Sequence, residues 1–213
     1  MMARFRIFRF SVLALLAVGL AACDRTPPPV GMQRGEELFE TCVPCHGAQG
    51  VGSPDIDAPA IAGLPQWYIE AQLEGFQAGW RGNHHTDIPG LRMRPMAMSL
   101  NRPGDIESVS EFVASLTAVY PESTLDGNAG AGAQQYEVCV ACHGVNGLGD
   151  ELLHAPPIVQ MHDWYLLSQL EHFKSGARGA HPEDIWGTTM RVNTLAMTEQ
   201  AMRDVIAYVQ TLR

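Results

Sequence analysis

Cys42-Val43-Pro44-Cys45-His46 recurs as Cys139-Val140-Ala141-Cys142-His143, and these two pentapeptides decide how the chain is read. Two cysteines separated by two residues and followed at once by histidine read as a site of c-type haem attachment. Each thiol can form a thioether to one vinyl group of a porphyrin, and the adjacent histidine then reaches the iron from the proximal side. A chance match, a zinc-binding pair and a redox dithiol are the competing readings of one copy. Two copies in matching contexts favour haem over all three. The expected cofactors are therefore two haem c groups, held covalently by Cys42, Cys45, Cys139 and Cys142.

Outward from these motifs the chain repeats itself. At an offset of 97 residues (139 − 42) a long ungapped match places Pro59 on Pro156, Trp67-Tyr68 on Trp164-Tyr165 and Gln72-Leu73 on Gln169-Leu170. It continues through Phe76 on Phe173, Arg81-Gly82 on Arg178-Gly179, His84 on His181, Asp87-Ile88 on Asp184-Ile185, and Met93-Arg94 on Met190-Arg191. A fixed period of this kind marks one module written twice, here of about 85 residues. Residues 33–120 form the first module and 132–213 the second. Residues 121–131, rich in Gly, Ser, Asn and Ala, read as the linker.

Within each module the apolar spacing predicts three helices joined by long loops. The first, Gly35–Cys42 and Gly132–Cys139, ends at the paired cysteines. The second, Trp67–Ala78 and Trp164–Ser175, places Ile69, Leu73 and Phe76, or Leu166, Leu170 and Phe173, on one face. The third is Asp105–Thr117 and Glu199–Leu212. No stretch alternates convincingly with period two, so the expected class is all-α, two tandem domains around one haem each. A core of this size with so much loop is marginal without help, and a buried porphyrin supplies the missing apolar surface.

The second axial ligand decides the chemistry. Cysteine is excluded by count, which leaves methionine, a second histidine or an open position. Met93 and Met190 match at the repeat offset, each 47 residues beyond its histidine (93 − 46; 190 − 143). Met96 and Met98 align with Asn193 and Leu195 and read as packing residues. The expected iron ligands are thus His46 with Met93 and His143 with Met190. His84 and His181 also match, but isolated loop histidines carry little specificity. Pro59 and Pro156 follow each motif, where a carbonyl would orient the other nitrogen of the ligating ring. Arg81 and Arg178 suit haem propionates. The pairs Trp67-Tyr68 and Trp164-Tyr165 are expected to cover a haem edge, to hydrogen-bond a propionate, or to pack between helices.

Composition bounds the partners. The chain has 213 residues and a formal net charge of −9. Arg4, Arg6 and Arg9 lie in the first 22 residues with no acid, so their removal leaves −9 − 3 = −12. That balance argues against nucleic acid and favours docking on basic patches of redox proteins. Residues 1–22 carry the arginines, a short apolar run and small residues, the layout of a signal peptide. The junction Leu20-Ala21-Ala22-Cys23 resembles the bacterial lipobox. The resemblance implies cleavage before Cys23 and lipidation of its thiol, which accounts for the fifth cysteine. Residues 23–32, with three consecutive prolines, would then be a stiff spacer above the membrane. The expected location is the periplasmic side of the bacterial inner membrane.

Taken together, each half resembles a class I cytochrome c, and the tandem arrangement resembles the dihaem cytochrome c4 family over about residues 33–213. In that family the first methionine of segments such as Met93-Arg-Pro-Met-Ala-Met-Ser-Leu100 is the iron ligand. The Arg-Gly-x-His…Asp-Ile-x-Gly element also resembles haem domains that work beside haem–copper oxidases. The resemblance implies an electron-transfer protein running from a quinol-oxidising complex to a terminal oxidase or reductase, without a small-molecule substrate. Two rivals remain: a bound haem subunit of an oxidase or dehydrogenase, and a dihaem enzyme such as a peroxidase. A peroxidase needs one iron with an open or displaceable position, against which the two matched methionines count. Dihaem thiosulfate-oxidising enzymes with a cysteine ligand need a residue that this chain lacks.

Overall fold

A computed structural model describes residues 30–213. The expected signal peptide and the lipidated Cys23 lie outside the described residues. Among the described residues ten α-helices follow one another: α1 (Met32–Phe39), α2 (Val43–His46), α3 (Gln66–Gln77), α4 (Ile88–Ser99) and α5 (Asp105–Ser115) in the first domain. The second repeats them as α6 (Ala129–Gln135), α7 (Glu137–His143), α8 (Asp163–Ser175), α9 (Ile185–Thr194) and α10 (Glu199–Gln210). No strand occurs among the described residues, only the isolated bridges Ser53–Ala58 and Asp150–Ala155. None of their helices is long and apolar enough to cross a membrane.

Each domain is built on a close crossing of its first and last helices. Gly35 sits where α1 meets α5, and a Cβ there would lie 2.1 Å from the Ser108 carbonyl oxygen. Gly132 does the same between α6 and α10, 1.9 Å from the carbonyl oxygen of Asp204. Only a residue without a side chain allows the two backbones this approach. Around the first crossing pack Phe39, Leu73, Phe76, Ala97, Leu100, Val109 and Val113. Around the second pack Tyr136, Val159, Leu167, Met202, Val205, Ile206 and Val209. The period of 3.6 predicts these faces for α3, α5 and α10, whereas in α8 the core residue is Leu167 and the expected Leu166 and Leu170 are only partly buried.

Two features differ from the sequence reading. The expected first helix breaks, so α1 ends at Phe39 and α2 carries the histidine separately; in the second domain α6 and α7 meet at Tyr136. The segments read as loops bearing Met93 and Met190 are helices α4 and α9. Their apolar residues do not form one stripe: Ile88, Leu91, Met96 and Met98 are all exposed. Pro95 inside α4 argues further against a helix by pattern alone. What starts them is a cap. Asp87 accepts from Gly90 N at 2.9 Å and Asp184 from Gly187 N at 2.8 Å, as side chains at helix N-caps do.

The linker is held to the second domain. Asp163, almost fully buried, accepts from Leu125 N at 2.7 Å and Thr124 Oγ1 at 2.9 Å, and from Thr124 N. Asn128 caps α6, which therefore starts at Ala129, inside the segment expected as linker. The domains meet through Leu64, Tyr68 and Met161.

Candidate haem sites

The spacing of the motif follows from helical geometry. Residues three and four apart share a helix face, so Cys42, Cys45 and His46 turn towards one side, as do Cys139, Cys142 and His143. In both domains the histidine Nδ1 lies 2.9 Å from a carbonyl oxygen, His46 from Pro59 and His143 from Pro156. A ring that donates Nδ1–H to a carbonyl is fixed in one tautomer and leaves Nε2 free to ligate. Both imidazoles are buried. Burial lowers their pKa values, against the raising effect of the proline carbonyl, and this keeps the rings neutral, the form that binds a metal.

The thiols do not suit the redox-dithiol reading. Burial, with Cys45 beside it, pushes the Cys42 thiol up to about 11. Burial likewise raises Cys139. Reactive dithiols depend on the opposite shift. Nor do three His, Cys, Asp or Glu side chains converge as a site for a bare metal ion among the described residues.

In the second domain a cavity of about 560 Å3 opens beside α7, within the range of ligand pockets. Cys139, Cys142, His143, Met190 and Met197 all line it, with Leu166, Leu170 and Val205 forming apolar wall. Met190 is half-buried, and so is Met93, which packs on the core of the first domain. Met96 and Met98 are exposed on α4. His84 bonds Thr86 at 2.8 Å and His181 stacks on Trp80, with 6.0 Å between ring centroids.

The cavity reaches the domain interface, where two arginines stand face to face. Gln72 Oε1 accepts from Arg81 Nη1 and Arg178 Nη2, both at 2.8 Å. Gln169 Oε1 accepts from Arg178 Nη1 at 2.8 Å and Arg81 Nη2 at 3.2 Å. The result is a closed ring of two guanidiniums and two amides with a local two-fold relation. Each guanidinium also lies over a phenyl ring, Arg81 on Phe76 at 4.4 Å and Arg178 on Phe173 at 4.5 Å. No carboxylate belongs to this ring; Asp87 acts on Arg81 from outside it, and the Tyr165 hydroxyl accepts from Arg81 Nη2 at 3.4 Å. Arg81 Nε and Trp80 Nε1, both on residues that line the cavity, are buried without a partner. A porphyrin with two propionates fits this wall of thiols, imidazole, apolar side chains and unanswered donors. Trp67 packs edge-on to Tyr68 and to His154 across the interface, and Trp164 Nε1 is buried and unpartnered.

Sequence reasoning left Gln72 and Gln169 without a role, although their repeat match was visible. It also left out Met197, whose counterpart is Leu100. His162 and His172 carry no repeat signal at all, since Pro65 and Gly75 stand at the matching positions.

Comparisons with known proteins agree with this geometry. The family model described as cytochrome c matches residues 32–117 and 129–213. A thiosulfate dehydrogenase electron acceptor of Stutzerimonas stutzeri (strain A1501) is 28% identical over 180 residues, 78% of this chain and 76% of that one. The cbb3-type cytochrome c oxidase subunit CcoP of Rubrivivax gelatinosus is 34% identical over 125 residues, 57% of this chain but only 36% of that subunit. Among solved structures, the thiosulfate dehydrogenase TsdBA of Marichromatium purpuratum superposes with a TM-score of 0.68 at 30% identity, covering 84% of this chain and 40% of that one. Reduced cytochrome c4 from Pseudomonas stutzeri shares the fold, with a TM-score of 0.64 at 23% identity over 87% of this chain and 100% of that one.

Proposed function

Because the chain belongs to the cytochrome c family, as a dihaem class I member of the cytochrome c4 type carrying two covalent haem c groups, we propose that it is a lipid-anchored periplasmic electron carrier of a respiratory chain. When bound, each haem supplies one iron that cycles between ferrous and ferric states. The chain's own residues determine where that happens. Cys42, Cys45, Cys139 and Cys142 would attach the porphyrins, and His46 with Met93, and His143 with Met190, would hold the irons. A thioether beside an imidazole as ligands would favour ferrous iron and leave no open position, which suits electron transfer. Arg81 and Arg178 neutralise propionates at the domain interface.

One observation carries this reading: the same arrangement of twin thiols, carbonyl-oriented histidine and methionine-bearing capped helix is built twice, 97 residues apart. The proposed route runs from a quinol-oxidising complex to a terminal oxidase or reductase, supported by the likeness to an oxidase haem subunit. Acceptance of electrons from a thiosulfate-oxidising enzyme is a second reading, favoured by the likeness to a thiosulfate dehydrogenase electron acceptor and to TsdBA. Lipidated Cys23 would hold the carrier near its partners and raise its effective concentration there.

Four experiments test the proposal. Cys23→Ala is expected to move the holoprotein from the membrane fraction to the soluble periplasm; unchanged membrane retention contradicts the lipid anchor. Rapid mixing with membranes supplied with quinol or with thiosulfate shows which donor reduces both haems. Stoichiometric copurification with an oxidase after mild detergent extraction would replace the free carrier with a bound subunit. Peroxide turnover by the purified protein would replace the carrier with an enzyme.

A further inference from the structure

The two histidine-orienting carbonyls are not equivalent. Pro59 O accepts from His46 Nδ1 at 2.9 Å. The same peptide group continues into Ala60 N–H, which donates to His162 Nδ1 of the second domain at 3.1 Å. Both ends of one amide are therefore engaged, one by the proximal histidine and one by a histidine 102 residues away. Ala60 and His162 are both buried, at 2% and 8% exposure. In the second domain the matching position to Ala60 is Pro157, which has no N–H to donate, and the matching position to His162 is Pro65. The contact therefore has no counterpart in the second domain.

We propose that His162 is a positioning residue for the haem of the first domain, acting through the Pro59–Ala60 peptide on His46. An amide that donates through its N–H becomes a stronger acceptor at its carbonyl, since hydrogen bonds in a chain polarise one another. A stronger acceptor at Nδ1–H gives the imidazole more anionic character and makes Nε2 a better donor to iron. A better donor favours ferric iron, so the contact lowers the midpoint potential of the first domain and leaves the second untouched. His162 must accept at Nδ1, so its proton sits on Nε2. Trp164, with its ring 5.2 Å away between centroids, and the hydrogen bond that Leu166 N donates to His162 O at 3.0 Å hold it at the start of α8.

The inference rests on His46 being the iron ligand of the first domain. The test is a redox titration of the full holoprotein, with the two waves assigned through Met93→Ala and Met190→Ala. His162→Leu and Ala60→Pro each remove the bond, the second by copying Pro157. Both are expected to raise the first-domain midpoint and leave the second in place. His162→Asn puts an amide oxygen near the Nδ1 position and is expected to return the midpoint towards the wild-type value. If His162→Leu fails to accumulate as holoprotein, Ala60→Pro decides. Unchanged midpoints, or equal movement of both as a loosened interface would give, overturn the proposal. Failure of the ligand assignment would appear differently, as a wild-type protein lacking a first-domain wave with a histidine–methionine spectrum.

Discussion

At the scale of single residues, the proposed haem-holding groups divide into those whose identity is local and those whose role depends on the fold. Cys42, Cys45 and His46 are legible because three residues at consecutive helical spacing carry the whole signal. Met93 and Met190 are legible only through the repeat, which separates them from Met96 and Met98. Replacing either by alanine is expected to abolish one of two iron–methionine charge-transfer bands and lower one midpoint, with the other unchanged. Near-infrared absorption during titration checks this. Loss of both bands from one substitution would contradict independent ligand sets. Gln72, Gln169 and His162 lay beyond reach because a matched or isolated polar residue does not announce its partner. Ala60 and His162 meet only after two domains have folded and docked.

At the scale of elements, α3, α5, α8 and α10 follow from apolar stripes, whereas α4 and α9 do not. The latter are started by an aspartate cap and completed by packing against α3 and α8, so no face repeats clearly in their sequence. Asp87→Ala and Asp184→Ala are each expected to cost about 1 kcal/mol, measured by denaturant unfolding of the holoprotein. Each should also weaken the methionine band of its own domain. The crossing glycines are more demanding. Gly35→Ala would place a methyl carbon 2.1 Å from the Ser108 carbonyl oxygen, a backbone atom that cannot turn aside. The expected loss is about 1–3 kcal/mol or more, read as a lower denaturation midpoint. A stability equal to wild type would mean that α1 and α5 sit further apart.

At the scale of the whole molecule, the interface joins the domains through buried polar groups. His172 Nδ1 lies 3.7 Å from Asp87 Oδ1 across it. Burial lowers the pKa of His172 below 6.5, outweighing the raising effect of Asp87, and Arg81 and Arg178 lower it further. Burial lowers His162 as well, against Asp163 and with Arg213. A histidine whose folded pKa is depressed binds fewer protons than in the unfolded chain. Stability is therefore full above the unfolded value near 6.5 and is lost as pH falls towards the folded value. Each group contributes a slope of at most about 1.4 kcal/mol per pH unit. His172→Gln should flatten that decline in unfolding curves taken between neutral and mildly acidic pH. An unchanged slope would remove His172 from the account. The docked arrangement itself was not legible, because repeat matching shows that two modules exist and says nothing of the surfaces they share.

The most direct test of the central claim, two haems each held by histidine and methionine for electron transfer, is a potentiometric titration of the purified holoprotein that follows the haem bands together with the iron–methionine band. Two high-potential waves, both retaining the methionine signal, are the predicted result. A low-potential wave without that signal would contradict it, since one iron would then have another ligand or an open position suited to catalysis.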